Sequence, residues 1–441
     1  MANPRLVALD LLMRVQESDS YINLLLPSVL AKSDLPENDR GLVQELSYGA
    51  LRWQLQYDSF IDLLTPGKTL SPKLRTVLRL GMHQLFRMRI PPHAAIHETV
   101  ELTKLFEKNA AGLANAVLRN ADRAGFEKLL ADCLRGKAGA AQLAIKYSHP
   151  TWVVSALTSA LELDGRAAEV EQLLASNNET PTINLAALPN TDAADYLQQQ
   201  GLEHGGASPI GYLAQGNPES LLKTEGVRVQ DQGSQLLTLA LLELGDHDGA
   251  WLDMCSGPGG KSALIQAGIA DGTGFLDCLE PAEHRAELVR KALNPKLPGK
   301  VVVAYGQEAK PNSYDAVLLD APCSGLGSLR RKPESRWRKQ PSQLSGLGKV
   351  QEELLDAGIA ALKPGGYLAY STCTPVVQET NTQIAAALDR HPEVELLNAN
   401  EVLNRVNPDL KMNTSRKTAQ LWTHLHGTDA MFLAIMRKKL G

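Results

Sequence analysis

From about residue 233 onward, short apolar runs bounded by turn residues alternate with helix-length segments. The runs fall at 249–254, 273–279, 300–305, 315–320, 366–372 and 430–436. Alternation at this spacing predicts an α/β fold with a parallel sheet and helices on both faces. In an open sheet of that kind the ligand crevice lies outside the carboxyl ends of the strands. The residues just past each run are therefore the first candidates for a site.

The first run passes into LDMCSGPGGKS (252–262), a hydrophobic strand entering a glycine-rich turn. A phosphate-binding loop needs GxxxxGK[ST], and Cys255 stands where its opening glycine belongs. A dinucleotide fingerprint needs GxGxxG; Gly257 and Gly259 are followed by Gly260 and Lys261, and the third glycine is absent. What remains is a tight turn that lets backbone approach a nucleoside-like ligand at a helix N-terminus. An acid at the end of the next strand would hold ribose hydroxyls, and Glu280 stands there.

Two later strands each end in a cysteine, DAPCSG (320–325) and YSTCTP (370–375). A single cysteine is usually a small core residue. Two placed after parallel strands would instead meet at the mouth of the site, with Asp320 beside them. Carbon 5 of cytosine is too weak a nucleophile to take a methyl group directly. A thiolate added to carbon 6 makes it enamine-like, covalent catalysis that splits one hard step into easier ones. A carboxyl group at ring nitrogen 3 assists the addition. One thiol would be the nucleophile and the other would assist release.

The remaining composition bounds the alternatives. A chain of 441 residues is too long for one ordinary core and implies two or three domains. No apolar run is long enough to span a membrane, and the N-terminus lacks the pattern of a signal peptide. Five cysteines (133, 255, 278, 323, 373) with no CxxC pair form neither a disulfide framework nor a zinc ribbon, so no metal is expected and a reducing cytoplasm suits them. A net charge of −4 argues mildly against nucleic acid. Locally, RRKPESRWRK (330–339) carries six basic residues around Trp337 and reads as a phosphate-gripping loop at the site mouth.

The N-terminal part, to about residue 125, reads as all-helical. Leu6, Leu9, Leu12 and Val15 recur at helical spacing, as do residues 42–53, 74–86 and 113–118. Pro91-Pro92 breaks the chain between two of these helices. Residues 126–205 look mixed: HPTW (149–152) opens a helix, and PTINLAAL (181–188) suggests a strand. Residues 206–232, rich in Gly, Pro and Gln, read as a linker or irregular module.

Taken together, LDMCSGPGGK, DAPCSG and STCT resemble the signatures of S-adenosylmethionine-dependent RNA cytosine carbon-5 methyltransferases. The resemblance covers roughly residues 140–441 and extends to HPTW, VQDQGSQ (229–235) and LWTHLHGTDAMF (421–432). RLVALDLLMRV, LVQELSYGALRW, RLGMHQLFRM, AIHETVEL and GLANAVLRN look like the helical fold of NusB-type antitermination factors. That pairing is typical of bacterial 16S ribosomal RNA methyltransferases of the RsmB (Fmu or Sun) type.

The resemblance implies three parts: a NusB-like RNA-binding domain (1–125), a small mixed α/β RNA-binding or linker domain (126–232) and a Rossmann-like class I methyltransferase domain (233–441). It implies Cys373 as the nucleophile, Cys323 as the thiol that assists release, and Asp320 near both base and cofactor. S-adenosylmethionine would contact Cys255, Ser256, Gly257, Pro258, Gly259, Gly260, Lys261, Glu280 and Asp320. Where the family has Gly-Asp after the third strand, this chain has Gly306-Gln307, so the adenine contact would fall to the neutral Gln307. The turn reads SGPGGK where AAPGGK is common. The expected partner is 16S ribosomal RNA, naked or in a partly assembled small subunit, met by a monomer with no membrane attachment. Competing readings are a transfer RNA methyltransferase, a DNA cytosine methyltransferase and a non-catalytic RNA-binding or antitermination factor.

Overall fold

The computed structural model describes residues 3–18 and 20–440. They form two compact units. Unit 1 comprises the described residues of Met1–Glu179 together with Leu329–Lys339, and unit 2 comprises those of Thr180–Ser328 and Gln340–Gly441.

Unit 1 is helical. The predicted stripes lie on Pro4–Glu17, Glu37–Arg52, Pro72–Arg87 and Ala111–Ala124. Local sequence fixes their starts. Asn3 caps the first helix by accepting from the Arg5 N–H at 2.9 Å, and Ser71 caps the third stripe ahead of Pro72. Pro92 opens a new helix, Pro92–Lys104, where the double proline predicted a break. The stripes bury Leu9, Leu12, Val15, Val43 and Leu46 in one cluster and Tyr57, Phe60, Leu78 and Leu118 in another. Each such side chain contributes about 1.5–3 kcal/mol by leaving water. The HPTW segment opens the helix Thr151–Leu163 as expected.

The basic run 330–339 is not the solvent-facing loop that its composition suggests. It lies packed into unit 1. Arg336 is fully buried and donates to the carbonyls of Arg52, Ser148 and Asn177 and to Asn178 Oδ1. Trp337 Nε1 donates to Leu51 O at 2.7 Å. Arg338 donates to the carbonyls of Val15, Ser18 and Ser20 and stacks its guanidinium 5.1 Å from the Tyr21 ring. Lys332 lies over the same ring, and the buried Glu334 accepts from the Ile22 N–H. The run's arginines satisfy carbonyls at helix ends, which have no partner within their own helix. Charge read from sequence alone does not reveal which way it points.

Unit 2 holds two sheets. The smaller pairs β1 (Ile183–Ala187), β2 (Glu203–His204), β3 (Gly211–Ala214) and β4 (Val227–Val229) in the order β2-β3-β1-β4, all antiparallel. Thus the Gly/Pro-rich stretch 206–232, expected as a linker, supplies two strands. The VQDQGSQ segment ties this sheet down. Gln232 accepts from the Ala207 and Ser208 N–H groups and donates to Asn184, while Gln235 donates to Leu185 O. The boundary between the units falls at Glu179, inside the 126–232 stretch that the sequence groups as one part.

The larger sheet contains all six predicted strands: β5 (Ala250–Asp253), β6 (Phe275–Leu279), β7 (Gly299–Val302), β8 (Tyr314–Asp320), β9 (Leu362–Thr372) and, beyond β10 (Val394–Leu396) and β11 (Ala419–Gln420), β12 (Phe432–Lys438). The order is β10-β12-β9-β8-β5-β6-β7, with β11 on β12. Strands β5 to β9 pair in parallel, but β12 runs antiparallel to β9 and β10. The sheet is therefore mixed, which corrects the all-parallel expectation. Hydrophobic periodicity carries no strand direction, and late antiparallel strands are common on one side of such sheets. Chain order reverses between β5 and β8, the switch point where open α/β sheets bind ligands.

Candidate active site

At the switch point, β5 delivers the turn 254–259 and the helix Gly260–Gly268. Gly259, the residue before that helix, has φ +104°, a conformation that side chains rarely adopt, and a Cβ there would press on Ala292 and Val289. A Cβ at Gly257 would collide with the Glu280 carboxylate. Glycine is thus required at both positions for the turn to close on the end of β6. Ser256 completes the closure, its N–H and Oγ both donating to Leu279 O at 3.0 Å.

Glu280 follows β6, as the sequence predicts, and is almost fully buried. Its Oε2 accepts from the Gly257 N–H at 3.2 Å and lies 3.4 Å from Arg285, whose Nη2 donates to Gly257 O. Its Oε1 accepts from the Ala282 N–H, which leaves a lone pair for a hydroxyl. Gln307 lies in a short 3-10 turn after β7, exposed, its amide nitrogen donating to Glu353 Oε2 at 3.2 Å.

Lys261 turns back from the helix start to the end of β8, where its Nζ donates to Asp320 Oδ2 at 2.8 Å. Ser371 Oγ donates to the other Asp320 oxygen at 3.0 Å, across the β8–β9 pair. Burial opposes the lysine charge, but Asp320 more than offsets it, so the ammonium is held above the usual lysine range.

The two cysteines meet. Cys323 Sγ and Cys373 Sγ lie 3.3 Å apart, unbonded, each half-buried. The loops that carry them are tied together: Gly327 N–H donates to Cys373 O at 2.8 Å, and Ser324 Oγ to Thr374 Oγ1 at 2.9 Å. The hydrogen bond with Cys373, then burial, then the charges of Cys373, Glu379 and Asp320 raise the Cys323 thiol well above the ordinary range. Lys261, by contrast, sits close enough to Cys373 to share an electrostatic interaction with it. The thiols outside this pair are raised as well: burial pushes Cys133 up to about 11 and raises Cys255 and Cys278. A raised thiol is a poor nucleophile at neutral pH.

Two buried carboxylates at the site escaped the sequence reading. Asp253, the last residue of β5, accepts from Ser262 Oγ at 2.7 Å, and burial pushes its carboxyl up to about 6 despite that bond. Glu379, just past the second cysteine loop, accepts from the Ser324 N–H at 2.7 Å. Asp253 lies within the LDMCSGPGGKS segment, but its character, like that of Glu379, comes from burial, which the sequence does not display.

Known proteins resemble this chain in sequence and in fold. Residues 239–437 match the family described as 16S rRNA methyltransferase RsmB/F, and residues 2–123 match the NusB family. A putative methyltransferase of Mycobacterium tuberculosis is 38% identical, over 98% of this chain and 96% of its own. The probable ribosomal RNA small subunit methyltransferase B of Bacillus subtilis is 30% identical over 98% of each.

The chain belongs to the RsmB/F family of 16S rRNA methyltransferases.

The ribosomal RNA small subunit methyltransferase B of Pseudomonas putida, 36% identical over 88% of this chain and 90% of its own, is a further relative. Among solved structures, PH0851 superposes with a TM-score of 0.77 at 20% identity over 99% of both chains, which shows the shared fold. As a family member the protein is an S-adenosylmethionine-dependent RNA methyltransferase with a NusB-type helical part and a Rossmann-like catalytic part. Among the described residues no helix is long and apolar enough to cross a membrane, and no cluster of side chains is suited to a metal.

Proposed function

We propose that this protein methylates carbon 5 of a cytosine in 16S ribosomal RNA through a covalent adduct between Cys373 and ring carbon 6. The observation that carries this reading is the pair of thiols 3.3 Å apart beside the Lys261–Asp320 ion pair. One thiol suffices to add to a ring, and a second at contact distance suits the reverse step. Cys373 neighbours the Lys261 cation, which favours a thiolate, so it is assigned the addition to carbon 6. Asp320 is assigned to ring nitrogen 3, an acceptor that takes up a proton as the thiolate adds, passed from the Lys261 ammonium by way of Asp320. Cys323 holds its proton while Cys373 adds; once Cys373 is a thioether, Cys323 gives that proton up to solvent and, as the thiolate, takes the carbon-5 proton so that the bond from Cys373 to carbon 6 breaks.

The residues present fit the cofactor. The Glu280 carboxylate is held against the Gly257 turn and retains acceptor capacity for ribose hydroxyls. The stretch Cys255–Lys261 with Glu280, Asp320 and Gln307 would hold S-adenosylmethionine. When bound there, the cofactor supplies the methyl group. The names of the relatives support small-subunit ribosomal RNA as the substrate; in this reading it is met naked or partly assembled, in the cytoplasm, by a monomer. Residues 1–125 are assigned to RNA recognition. The target base leaves its stack to reach the thiols, because such chemistry is not possible inside a duplex.

The test is covalent trapping. Cys323→Ala, incubated with S-adenosylmethionine and 16S RNA fragments, is expected to give a shifted band on a denaturing gel. Cys373→Ala is expected to give none and no methylation. Trapping by Cys373→Ala instead reverses the roles, and trapping with transfer RNA or DNA in place of 16S RNA overturns the substrate.

A further inference from the structure

Glu379 sits on the short turn Val377–Glu379, six residues beyond Cys373, with no measurable solvent exposure. Its Oε1 accepts twice, from the Ser324 N–H at 2.7 Å and from Gln351 Nε2 at 3.2 Å. Gln351, on the helix Leu344–Ala361, also donates to Pro322 O at 2.9 Å. The residues on both sides of Cys323 are therefore held by one carboxylate and one amide. The turn itself is fixed from below, since Tyr370 OH donates to Glu379 O at 2.7 Å.

The second carboxylate oxygen, Oε2, is buried with no partner among the described residues, as is Gln351 Oε1. A buried polar atom left unpaired is costly and calls for an explanation. The bonding favours an ionised carboxylate. Oε1 accepts two hydrogen bonds, one from a backbone N–H and one from an amide, and hydrogen bonds donated to a carboxylate favour its charged form. The result is a negative charge held against the backbone of the Cys323 loop.

We propose that Glu379 is a positioning residue: it fixes the loop of Cys323 and, through its charge, keeps that sulfur a thiol, so that Cys373 beside Lys261 carries the thiolate. This inference rests on the assignment of the two thiols under Proposed function. The charged and titratable groups around Cys323 are Cys373 at the end of β9, Glu379 on its turn, Asp320 at the end of β8 and Tyr370 within β9. Glu379 and Asp320 are both acidic, and Asp320 is already neutralised by Lys261. Glu379 has no cation bonded to it in any hydrogen bond or ion pair described. Two identical groups in contact titrate as a pair, and a charge placed on one side decides which of them holds the proton.

The experiment is alkylation of the full-length protein with iodoacetamide across pH, each cysteine followed by mass spectrometry. In the natural protein Cys373 is expected to react at lower pH than Cys323. Glu379→Gln keeps the shape and the acceptor oxygen but removes the charge. It is expected to lower the Cys323 midpoint by about one pH unit or more, with S-adenosylmethionine affinity unchanged. Glu379→Asp, which keeps the charge, is expected to restore the order. An unchanged Cys323 midpoint in Glu379→Gln overturns the proposal, because a merely structural role does not move a titration. If Glu379→Gln does not fold, Cys373→Ser carries the test. Its remaining Cys323 should titrate above an ordinary thiol, about 8.5, and a midpoint at or below that value overturns the proposal. Alkylation needs no RNA and no turnover. A lost order with intact trapping defeats this inference alone, and failed trapping with the order intact defeats only the proposed reaction.

Discussion

Replacing Asp253 by Asn should change how stability depends on pH. Asp253 is buried at the end of β5, and its carboxyl is raised from 3.8 to about 6. A carboxyl raised in the folded state binds its proton more tightly there than in the unfolded chain. Its contribution to stability is therefore complete below about pH 4 and is lost as pH rises through about 6. The gap between 3.8 and about 6, at 1.36 kcal/mol per pH unit, amounts to about 3 kcal/mol. The side chain is inaccessible, so solvent screening does not reduce this figure, which is an order of magnitude. Asp253→Asn has no such proton to lose. The stability of the variant relative to the natural protein should rise by about 3 kcal/mol between about pH 4 and about pH 7.5. The two compact units need not unfold together, so the probe must belong to unit 2. Cys278 serves: it is fully buried on β6 and pairs with Asp253 in the parallel register. Urea unfolding would be read by pulse labelling of Cys278 with a dipyridyl disulfide that reacts in acid. A constant difference between variant and natural protein across that pH range would refute the reasoning and return Asp253 to an ordinary carboxylate.

Two further outcomes follow from the geometry. Glu280→Ala should leave the protein folded and weaken S-adenosylmethionine binding by about one to two decades, the effect of losing a charged hydrogen-bonded contact, as read by calorimetry. Arg336→Ala should strip partners from three carbonyls and the Asn178 side chain. At about 1 kcal/mol each, the loss is about 4 kcal/mol. It should appear in the unfolding of unit 1, and Arg336→Lys should not restore it, because an ammonium lacks the planar fork.

The sheet strands and the thiol pair were legible because each rests on local pattern: apolar runs of strand length, a glycine turn, a cysteine past a strand end. The direction of β12 was not legible, since a run such as Phe432–Met436 reads alike in either orientation. β10, three residues long, falls below any periodicity. In the small sheet β1 was legible in PTINLAAL, but β3 and β4 hid in a stretch whose Gly and Pro content suits turns, and the sheet is tied down by Gln232 and Gln235. The basic run misled for the opposite reason. Its composition was strong, but Arg336 and Arg338 point at carbonyls of residues 15–52 and 148–177. Asp253 and Glu379 gain their character from burial, which no single-residue signal carries.

The placement of Leu329–Lys339 in unit 1 also sets an order of events during synthesis. The helices up to Glu179 leave the ribosome 150 residues before Leu329 does. At about 5–20 residues per second, that delay is about 8–30 s. Through this interval the carbonyls of Leu51, Arg52, Ser148 and Asn177 lack the donors that Arg336 and Trp337 later provide. Unit 1 is therefore completed only once the loop carrying Cys323 has been made, and a nascent chain that stops short of it leaves its first unit unfinished.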